Sequence, residues 1–301
     1  MPSHLPSTPD CIPCALRQVL SSARRVSEDP WFHTKVLKRV MRAMSNADTN
    51  KSPAEVSYDA LKVAGEILGV RDPYAEDKRA ENAKLMALLP GLRQKVAESR
   101  HPVALAARLA VAGNIIDLGI LSAVDAKAEI DKAIDMELAV DDTEALRESL
   151  RAAKTVLYVL DNAGEIVMDR LLIEQMKRKE ITCIVRSEPV LNDVTMDDAI
   201  SIGLDKLATI VDPGAPMLGL VLNLASGEVQ ELFETADVVI SKGQANFETL
   251  FGADREVYFL LRAKCPIVAA ALGVEFGAAV VARREPAHEE ESGVANGAAS
   301  G

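Results

Sequence analysis

Hydrophobic residues in the first half of the chain recur at intervals of three and four, the spacing of the buried face of an α-helix. The clearest segment begins at Ser52-Pro53-Ala54-Glu55, which combines an N-cap, a proline at the first helical position and a glutamate placed for a capping box. Apolar residues continue at helical spacing as far as Gly69, where the helix is expected to end. Comparable patterns predict helices at about residues 11–24, 31–43, 74–89, 103–119, 126–138 and 143–153.

From about Thr155 the pattern changes to short apolar runs separated by helical segments. The runs at 155–160 and 181–186 are nearly all apolar, as expected for strands buried on both faces of a sheet. Strands alternating with helices favour right-handed crossovers and a largely parallel sheet. The remaining predicted strands are at 207–211, 237–241, 257–261 and 278–282, and the predicted helices between them are at 165–179, 196–202 and 228–235.

These patterns predict an α/β fold with two parts. A helical N-terminal domain is expected at residues 1–153, and an α/β domain with a largely parallel sheet at residues 154–284. The segment 285–301 is acidic and then rich in small polar residues, a composition typical of a disordered tail.

The charge balance argues against two classes of binding partner. The chain of 301 residues has 34 Lys and Arg against 45 Asp and Glu, a formal net charge of −11. That balance disfavours sequence-independent binding to nucleic acid or to an anionic membrane. The longest apolar stretch, at 103–121, is interrupted by Arg108, Asn114 and Asp117, and the N-terminus lacks a secretory signal. We therefore predict a cytoplasmic protein with no membrane or nucleic-acid partner.

Polar residues follow three predicted strands, at the edge where ligands bind in an open parallel sheet. The three loops are Asp-Asn-Ala-Gly-Glu at 161–165, Ser-Glu-Pro-Val-Leu-Asn-Asp at 187–193 and Ser-Lys-Gly-Gln-Ala-Asn at 241–246. Asp161, Asn162 and Asp193 form an all-oxygen set, which suits Mg²⁺ or Mn²⁺ better than zinc. A divalent ion with a lysine nearby commonly holds a phosphate group. The alternative is that Asp161 and Asn162 only cap the following helix.

The strings DNAGEIVMDRLLIEQM, RSEPVLNDVTMDDA and SKGQANFETL, in that order, resemble the metal-dependent damage-control phosphatases. This family was long known only as a domain of unknown function. The helical half adds Asp72-Pro73-Tyr74 and the run AGNIID at 112–117. With Cys11 and Cys14, the set resembles the short archaeal and bacterial branch that carries an N-terminal Cys-x-x-Cys.

The resemblance implies a helical N-terminal domain packed on a Rossmann-like α/β domain, with the site between them. It implies a metal held by Asp161, Asn162 and Asp193, and a contact between Lys242 and the substrate phosphate. Gly243 and Asn246 follow in the same loop and would bind substrate. The implied activity is metal-dependent hydrolysis of a small phosphorylated metabolite, either a sugar phosphate or a damaged phospho-metabolite, with Mg, Mn, Co or Ni as the metal.

Other polar residues have alternative roles. Asn114 and Asp117 lie one turn apart in an apolar helix, so they either cross-link buried helices or face the cleft and bind substrate. Glu165 either accepts hydrogen bonds from backbone N–H groups or supports the metal and substrate site. Asp161 is either a metal ligand or a nucleophile that forms an aspartyl-phosphate. We favour the ligand, because Asn162 beside it has a plain role only in metal binding.

The cysteines and two other functional classes complete the alternatives. Cys11 and Cys14 either pack in the structure or form a redox pair or half of a metal site, which would need two further ligands. An S-adenosylmethionine-dependent carboxyl methyltransferase would need a glycine-rich first loop and an acidic residue after the second strand, where this chain has Arg186. A non-catalytic metal- or ligand-binding module is the other alternative. The sequence leaves the oligomeric state open.

Overall fold

The structure of the protein, a computed structural model, describes residues 4–113, 132 and 134–286. Most of the predicted tail at 285–301 and of the predicted helix at 126–138 therefore lies outside the described residues. The helices are α1 (Cys11–Val26), α2 (Pro30–Met44), α3 (Pro53–Leu68), α4 (Ala75–Glu98), α5 (Pro102–Ala112), α6 (Thr143–Ala152), α7 (Glu165–Ile173), α8 (Met196–Ser201), α9 (Gly227–Thr235), α10 (Gln244–Leu250) and α11 (Pro266–Leu272). The strands are β1 (Val140–Asp141), β2 (Thr155–Val159), β3 (Glu180–Ile184), β4 (Thr209–Val211), β5 (Val238–Lys242), β6 (Val257–Arg262) and β7 (Ala279–Arg284).

The strands form one sheet in the order β1-β7-β6-β5-β2-β3-β4. Neighbouring strands are parallel except for the antiparallel pair β6 and β7, so the predicted α/β fold with a largely parallel sheet is confirmed. The chain leaves β2 towards β3 and β4 on one side and then returns to place β5 on the other side. The boundary between β2 and β5 is therefore a topological switch point, the place where open parallel sheets bind ligands.

Both faces of the sheet are covered by apolar side chains. In β2, Val156 and Tyr158 belong to a core shared with α4, α5 and α7, whereas Leu157 and Val159 belong to a core shared with α9, α10 and α11. Successive residues of a strand point to opposite faces, so burial on both faces requires an unbroken apolar run. This explains why the predicted strand at 155–160 has no polar alternation.

The first three helices pack around a core of their own, built from residues such as Val19, Val40 and Ala60. Both hydrogen bonds of the predicted capping box at Ser52 are present, and the helix ends at a left-handed glycine, as predicted. By contrast, α4 and α5 share a core with the sheet. The domain boundary at 153/154 stays a prediction.

Several local features differ from the sequence-based expectation: helix α7 ends at Ile173 rather than at residue 179, and helices α10 and α11 were not predicted. Helix α4 continues through Pro90 to Glu98, because Leu92 and Val96 extend the buried stripe of the first part of the helix. That burial outweighs the one backbone hydrogen bond that proline removes. Strand β1, which was not predicted, has two residues and pairs with β7. Within the described ranges, no helix is long and apolar enough to cross a membrane.

Glu248 of α10 connects the sheet to the beginning of α3. Its carboxylate is buried and accepts hydrogen bonds from the backbone N–H of Ala54 and the side chain of Gln244. Its carbonyl oxygen accepts a hydrogen bond from the backbone N–H of Leu5 at 2.8 Å. Burial raises the pKa of the Glu248 carboxyl to about 7, because little nearby positive charge stabilises the ionised form.

This shift predicts a pH dependence of stability. Between pH 4.5 and about 7, the unfolded chain ionises Glu248 while the folded chain keeps it protonated, so the free energy of unfolding falls as the pH rises through this window. The variant Glu248→Gln keeps an acceptor for Ala54 and carries no charge. We expect it to be more stable than the wild type at pH 8 by roughly 2–3 kcal/mol, and about equally stable at pH 4.5.

Urea denaturation of both proteins at pH 4.5 and pH 8 measures this difference. The matched control is Glu234→Gln on α9, an exposed glutamate, which should change neither value. A difference between wild type and Glu248→Gln that is the same at both pH values would contradict the prediction.

Candidate functional site

The loops that follow β2 and β3 lie side by side at the carboxyl edge of the sheet. Asn162 and Asp193 form an isolated antiparallel bridge, and the backbone N–H of Val194 donates to the carbonyl oxygen of Asp161 at 2.8 Å. Asp161 and Asp193 are 6% and 3% exposed, and Asn162 is half-buried. The structure therefore brings together the three residues that the sequence suggested as a metal-binding set.

Asp161 and Asn162 do not cap the following helix. The N-cap of α7 is Gly164, and no side chain accepts a capping hydrogen bond there. The Asn162 Nδ2 atom instead donates to Asp161 Oδ2 at 2.6 Å and to Glu165 Oε2 at 3.5 Å. The capping interpretation is thus wrong for this helix, and these side chains are directed to one another.

Arg186 fixes the carboxylate of Asp193. Its Nε donates to Asp193 Oδ2 at 2.6 Å, its Nη2 donates to Asn246 Oδ1 at 3.1 Å, and the same Nη2 lies 3.9 Å from Asp161 Oδ1. The side chain is almost completely buried, and Nη1 has no hydrogen-bond partner among the described residues. Sequence reasoning missed this role, although a charged residue at the end of the apolar run 181–186 was a visible signal.

Asn246 holds the ends of β2 and β5 together. Its Nδ2 donates to the carbonyl oxygens of Leu160 at 3.0 Å and Lys242 at 2.7 Å, while its Oδ1 accepts from Arg186. The side chain is fully buried. Its predicted contact with substrate stays a prediction, and its bonds within the protein show how the switch point is fixed.

Gly243 permits the close approach of the β5 loop to Asp161. Its backbone has φ 77° and ψ 169°, a conformation open almost only to glycine. A Cβ atom at this position would lie 1.9 Å from Asp161 Oδ2. The glycine is therefore required for the observed position of the Asp161 carboxylate.

Lys242 lies under the site and is 0% exposed. Its ammonium donates to the carbonyl oxygen of Ala110 at 2.9 Å, to Asp169 Oδ1 at 2.7 Å and to Glu165 Oε1. The charges of Asp169 and Glu165 outweigh burial and raise the pKa of Lys242 above its ordinary value. Its predicted contact with a substrate phosphate stays a prediction.

The buried cluster has more carboxyl groups than cationic groups. Burial raises the pKa of Asp161 well above its ordinary value, and the charges of Asp193 and Glu165 add to the effect. Burial also raises the pKa of Asp193, despite the opposing charge of Arg186. Four carboxylates share the cluster with two cations: Asp161, Glu165, Asp169, Asp193, Arg186 and Lys242.

Two polar contacts from α4 tie the first half of the chain to this site. Lys78 is buried and pairs with Asp72 at 2.8 Å and with Asp198 at 2.7 Å. Asn82 Oδ1 accepts a hydrogen bond from the backbone N–H of Gly164 at 2.6 Å. These contacts give both side chains a clear structural role.

A cavity of about 590 Å³ lies between the beginning of α4 and the loops after β3. Its lining includes the buried Lys78 and Arg186 and the exposed Arg71 and Arg79, together with several aspartates. Arg186 therefore connects this cavity with Asp193.

Lys264 adds a cation that the sequence did not predict. It follows β6, and its backbone N–H donates to Gln244 Oε1 at 3.1 Å. Burial lowers the pKa of its ammonium, while the charges of Glu165 and Asp161 partly oppose that effect, which places the ammonium within their field. The side chain nevertheless retains exposed surface, unlike that of Lys242.

Two pairs of predicted residues remain. Asn114 and Asp117 lie outside the described residues. Cys11 is buried and its Sγ accepts from the Thr8 backbone N–H at 3.4 Å, whereas Cys14 is half-buried, and both are free thiols. The described part of the chain contains no group of three or more His, Cys, Asp or Glu arranged to hold a metal ion. The role of the two cysteines stays a prediction.

The sequence of this chain is similar to those of damage-control phosphatases. The sequence profile of the damage-control phosphatase ARMT1-like domain matches residues 7–280. A damage-control phosphatase of Pyrococcus horikoshii is 31% identical over 282 residues, which cover 92% of this chain and 97% of that protein. A damage-control phosphatase of Archaeoglobus fulgidus is 32% identical over 279 residues, which cover 90% of this chain and 96% of that protein.

A solved structure shares the fold. The crystal structure of a DUF89 family protein from Pyrococcus horikoshii has a TM-score of 0.87 and 30% sequence identity to this chain. The superposition covers 93% of this chain and 99% of that protein. The similarity therefore spans both the helical first half and the sheet.

The position of Gly243 gives a direct test of the site geometry. We expect Gly243→Ala to lower the free energy of unfolding by roughly 3–5 kcal/mol, because the new Cβ overlaps the Asp161 carboxylate and the backbone conformation is strained. The matched control is Gly273→Ala, which also has a positive φ, 68°, but has no atom within 4 Å of the added Cβ. It should cost only about 1 kcal/mol. Equal losses for the two variants in urea denaturation would show that the overlap with Asp161 carries no cost.

Proposed function

Because this chain belongs to the family of damage-control phosphatase ARMT1-like domains, we propose that it is a phosphatase that uses a divalent metal ion to hydrolyse a phosphomonoester of a small metabolite. The family match over residues 7–280 and the two relatives named as damage-control phosphatases support the phosphatase activity. The observation that carries the metal dependence is the burial of the Asp161 and Asp193 carboxyl groups side by side in adjacent loops.

The residues present fit a divalent cation. Asp161, Asn162 and Asp193 supply oxygen donors from two adjacent loops, the donor type preferred by Mg²⁺ and Mn²⁺. A divalent ion would offset the excess of carboxyl groups over cationic groups in the cluster. When bound, such an ion polarises a phosphate oxygen and activates a water molecule.

The side chains of this protein would orient the reacting groups. Arg186 holds the Asp193 carboxylate in place, and the absence of a Cβ at Gly243 lets Asp161 occupy its position. We assign Lys264 to the phosphate of the substrate, because its backbone N–H donates to Gln244, the residue after Gly243, and its exposed side chain interacts with the charges of Asp161 and Glu165. A lysine ammonium in this place stabilises the negative charge of a phosphoryl group.

The substrate class is a small phosphorylated metabolite, either a sugar phosphate or a damaged phospho-metabolite. The cavity beside Arg186 has room for the part of such a molecule that does not react. Its lining mixes basic and acidic side chains, which suits a polyhydroxylated molecule that both donates and accepts hydrogen bonds. The family assignment favours this activity over a methyltransferase or a binding module. The cytoplasmic location and the lack of a nucleic-acid partner stay predictions.

Removal of either aspartate should abolish turnover. We expect metal-free protein to be inactive on an aryl phosphate and on a panel of sugar phosphates, and to gain activity with Mg²⁺, Mn²⁺, Co²⁺ or Ni²⁺. Asp161→Ala and Asp193→Ala should each lower kcat at least about 100-fold. Asp254→Ala alters an exposed aspartate in the loop before β6; it is the control and should retain the wild-type rate.

The stability of the same variants separates loss of function from unfolding. Asp161→Ala removes one of several mutually repelling buried charges, so the metal-free variant should melt at the wild-type temperature or above it. Full activity in the presence of a strong chelator, or normal turnover by Asp161→Ala, would contradict the proposed function.

Lys264→Met tests the proposed phosphate contact. We expect the inhibition constant for inorganic phosphate at saturating metal to rise roughly tenfold or more, because a charge-assisted hydrogen bond is lost. The affinity for Mn²⁺, measured by calorimetry, should not weaken, because a nearby positive charge is removed. The control Lys206→Met alters an exposed lysine that precedes β4 at the opposite edge of the sheet. Unchanged phosphate inhibition in Lys264→Met would refute the contact.

A further inference from the structure

A buried network behind the candidate site uses every donor of Lys242. The ammonium has three N–H groups, and these donate to Ala110 O, Asp169 Oδ1 and Glu165 Oε1. The side chain has no exposed surface. A substrate phosphate could therefore reach this ammonium only by displacing one of its present acceptors.

Asp169 anchors the network inside the protein. Its carboxylate is fully buried on α7, one helical turn after Glu165, so the two acidic side chains lie on the same face of the helix. Asp169 Oδ1 also accepts a hydrogen bond from the Tyr158 hydroxyl at 2.8 Å. Tyr158 and Lys242 lie on the paired strands β2 and β5. The network therefore joins both strands of the switch point to the helix that begins at the site.

Glu165 connects this network to the proposed metal-binding residues. Lys242 holds its Oε1, and its Oε2 accepts from Asn162 Nδ2 at 3.5 Å. The same Nδ2 donates to Asp161 Oδ2 at 2.6 Å. Since both acceptors next to this amide are carboxylates, its nitrogen end faces them, and its carbonyl Oδ1 is directed away from them.

We propose that Lys242, Asp169 and Tyr158 are positioning residues, which hold Glu165 so that Asn162 presents its carbonyl oxygen to the divalent cation. This inference rests on the proposed function. It gives Lys242 a role different from the direct phosphate contact that the family resemblance implies, and leaves that contact to Lys264. Asp169 and Tyr158 are too deeply buried to touch substrate, so any effect of these residues on the reaction is transmitted through Lys242 and Glu165.

A matched pair of tyrosine variants tests whether the buried network influences metal binding and turnover. Tyr158 and Tyr258 are both fully buried on strands of the same sheet, and the Tyr258 hydroxyl is paired with Ser149 Oγ at 2.9 Å, away from the site. Tyr158→Phe and Tyr258→Phe each remove one buried hydroxyl, so both should lower the melting temperature by a similar few degrees, about 2–4 °C. Only Tyr158→Phe should weaken Mn²⁺ binding in calorimetry and lower kcat, each by about fivefold.

Asp169→Asn tests the charged member of the network. It keeps the shape of the side chain, whereas Lys242→Met would leave two buried carboxylates without a cation and is the poorer choice. We expect Mn²⁺ affinity and kcat to fall roughly tenfold or more, because the paired ammonium loses a charge-assisted hydrogen bond and Glu165 is no longer fixed. The inhibition constant for inorganic phosphate at saturating metal should stay within about twofold of the wild-type value, since no phosphate contact is removed.

Two results would overturn the inference. One is an equal effect of Tyr158→Phe and Tyr258→Phe on Mn²⁺ affinity and kcat. The other is a rise in the phosphate inhibition constant of Asp169→Asn with unchanged Mn²⁺ affinity, because this is the pattern of a lost phosphate contact. If the wild type binds Mn²⁺ but hydrolyses no phosphoester, the proposed function fails and the calorimetric comparison still decides this inference. A wild type that binds no divalent cation refutes both.

Discussion

Repulsion among carboxylates that are buried together is the constraint on which the rest of this structure depends. Burial raises the pKa of Asp161 and Asp193, the charge of Glu165 adds to both effects, and in water-poor surroundings such charges interact several times more strongly than at the surface. The loops keep their positions despite this repulsion. Backbone pairing between the loops, buried cations and the close approach of a glycine to a carboxylate stabilise the arrangement. Under the proposed function, a bound cation would offset the stability lost by gathering these carboxylates.

The fold could be predicted largely from local pattern. The runs at 155–160 and 181–186 are apolar because both faces of each strand are covered, and the Ser52 capping box marks a helix start that needs no tertiary information. The prediction failed where tertiary contacts override local signals. The pattern predicted a helix only to about residue 89, but burial of the residues after Pro90 extends it, and the two residues of β1 are a strand only because β7 lies beside them.

The sequence predicts the candidate site only through the loops that follow the predicted strands. Asp161, Asn162 and Asp193 followed from that rule, since parallel strands bring their carboxyl ends to one edge. The rule did not predict the roles of Arg186 and Lys264. The sequence around a charged residue at the end of an apolar run does not show which group that residue contacts in the fold. Nor could the sequence show that all three N–H groups of Lys242 donate to acceptors within the protein. That arrangement arises only because Asp169, Glu165 and Ala110 surround the Lys242 Nζ atom in the folded chain.

The position of β1 in the sheet has a consequence for the order in which this chain can fold during synthesis on the ribosome. β1 pairs only with β7, so about 140 residues must be made between the two partners before this edge of the sheet can close. Helix α5 also packs against β6 and β7, so part of its apolar face lacks its cover until the same moment. Until β7 has been made, the nascent chain therefore exposes apolar surface that the complete sheet later covers.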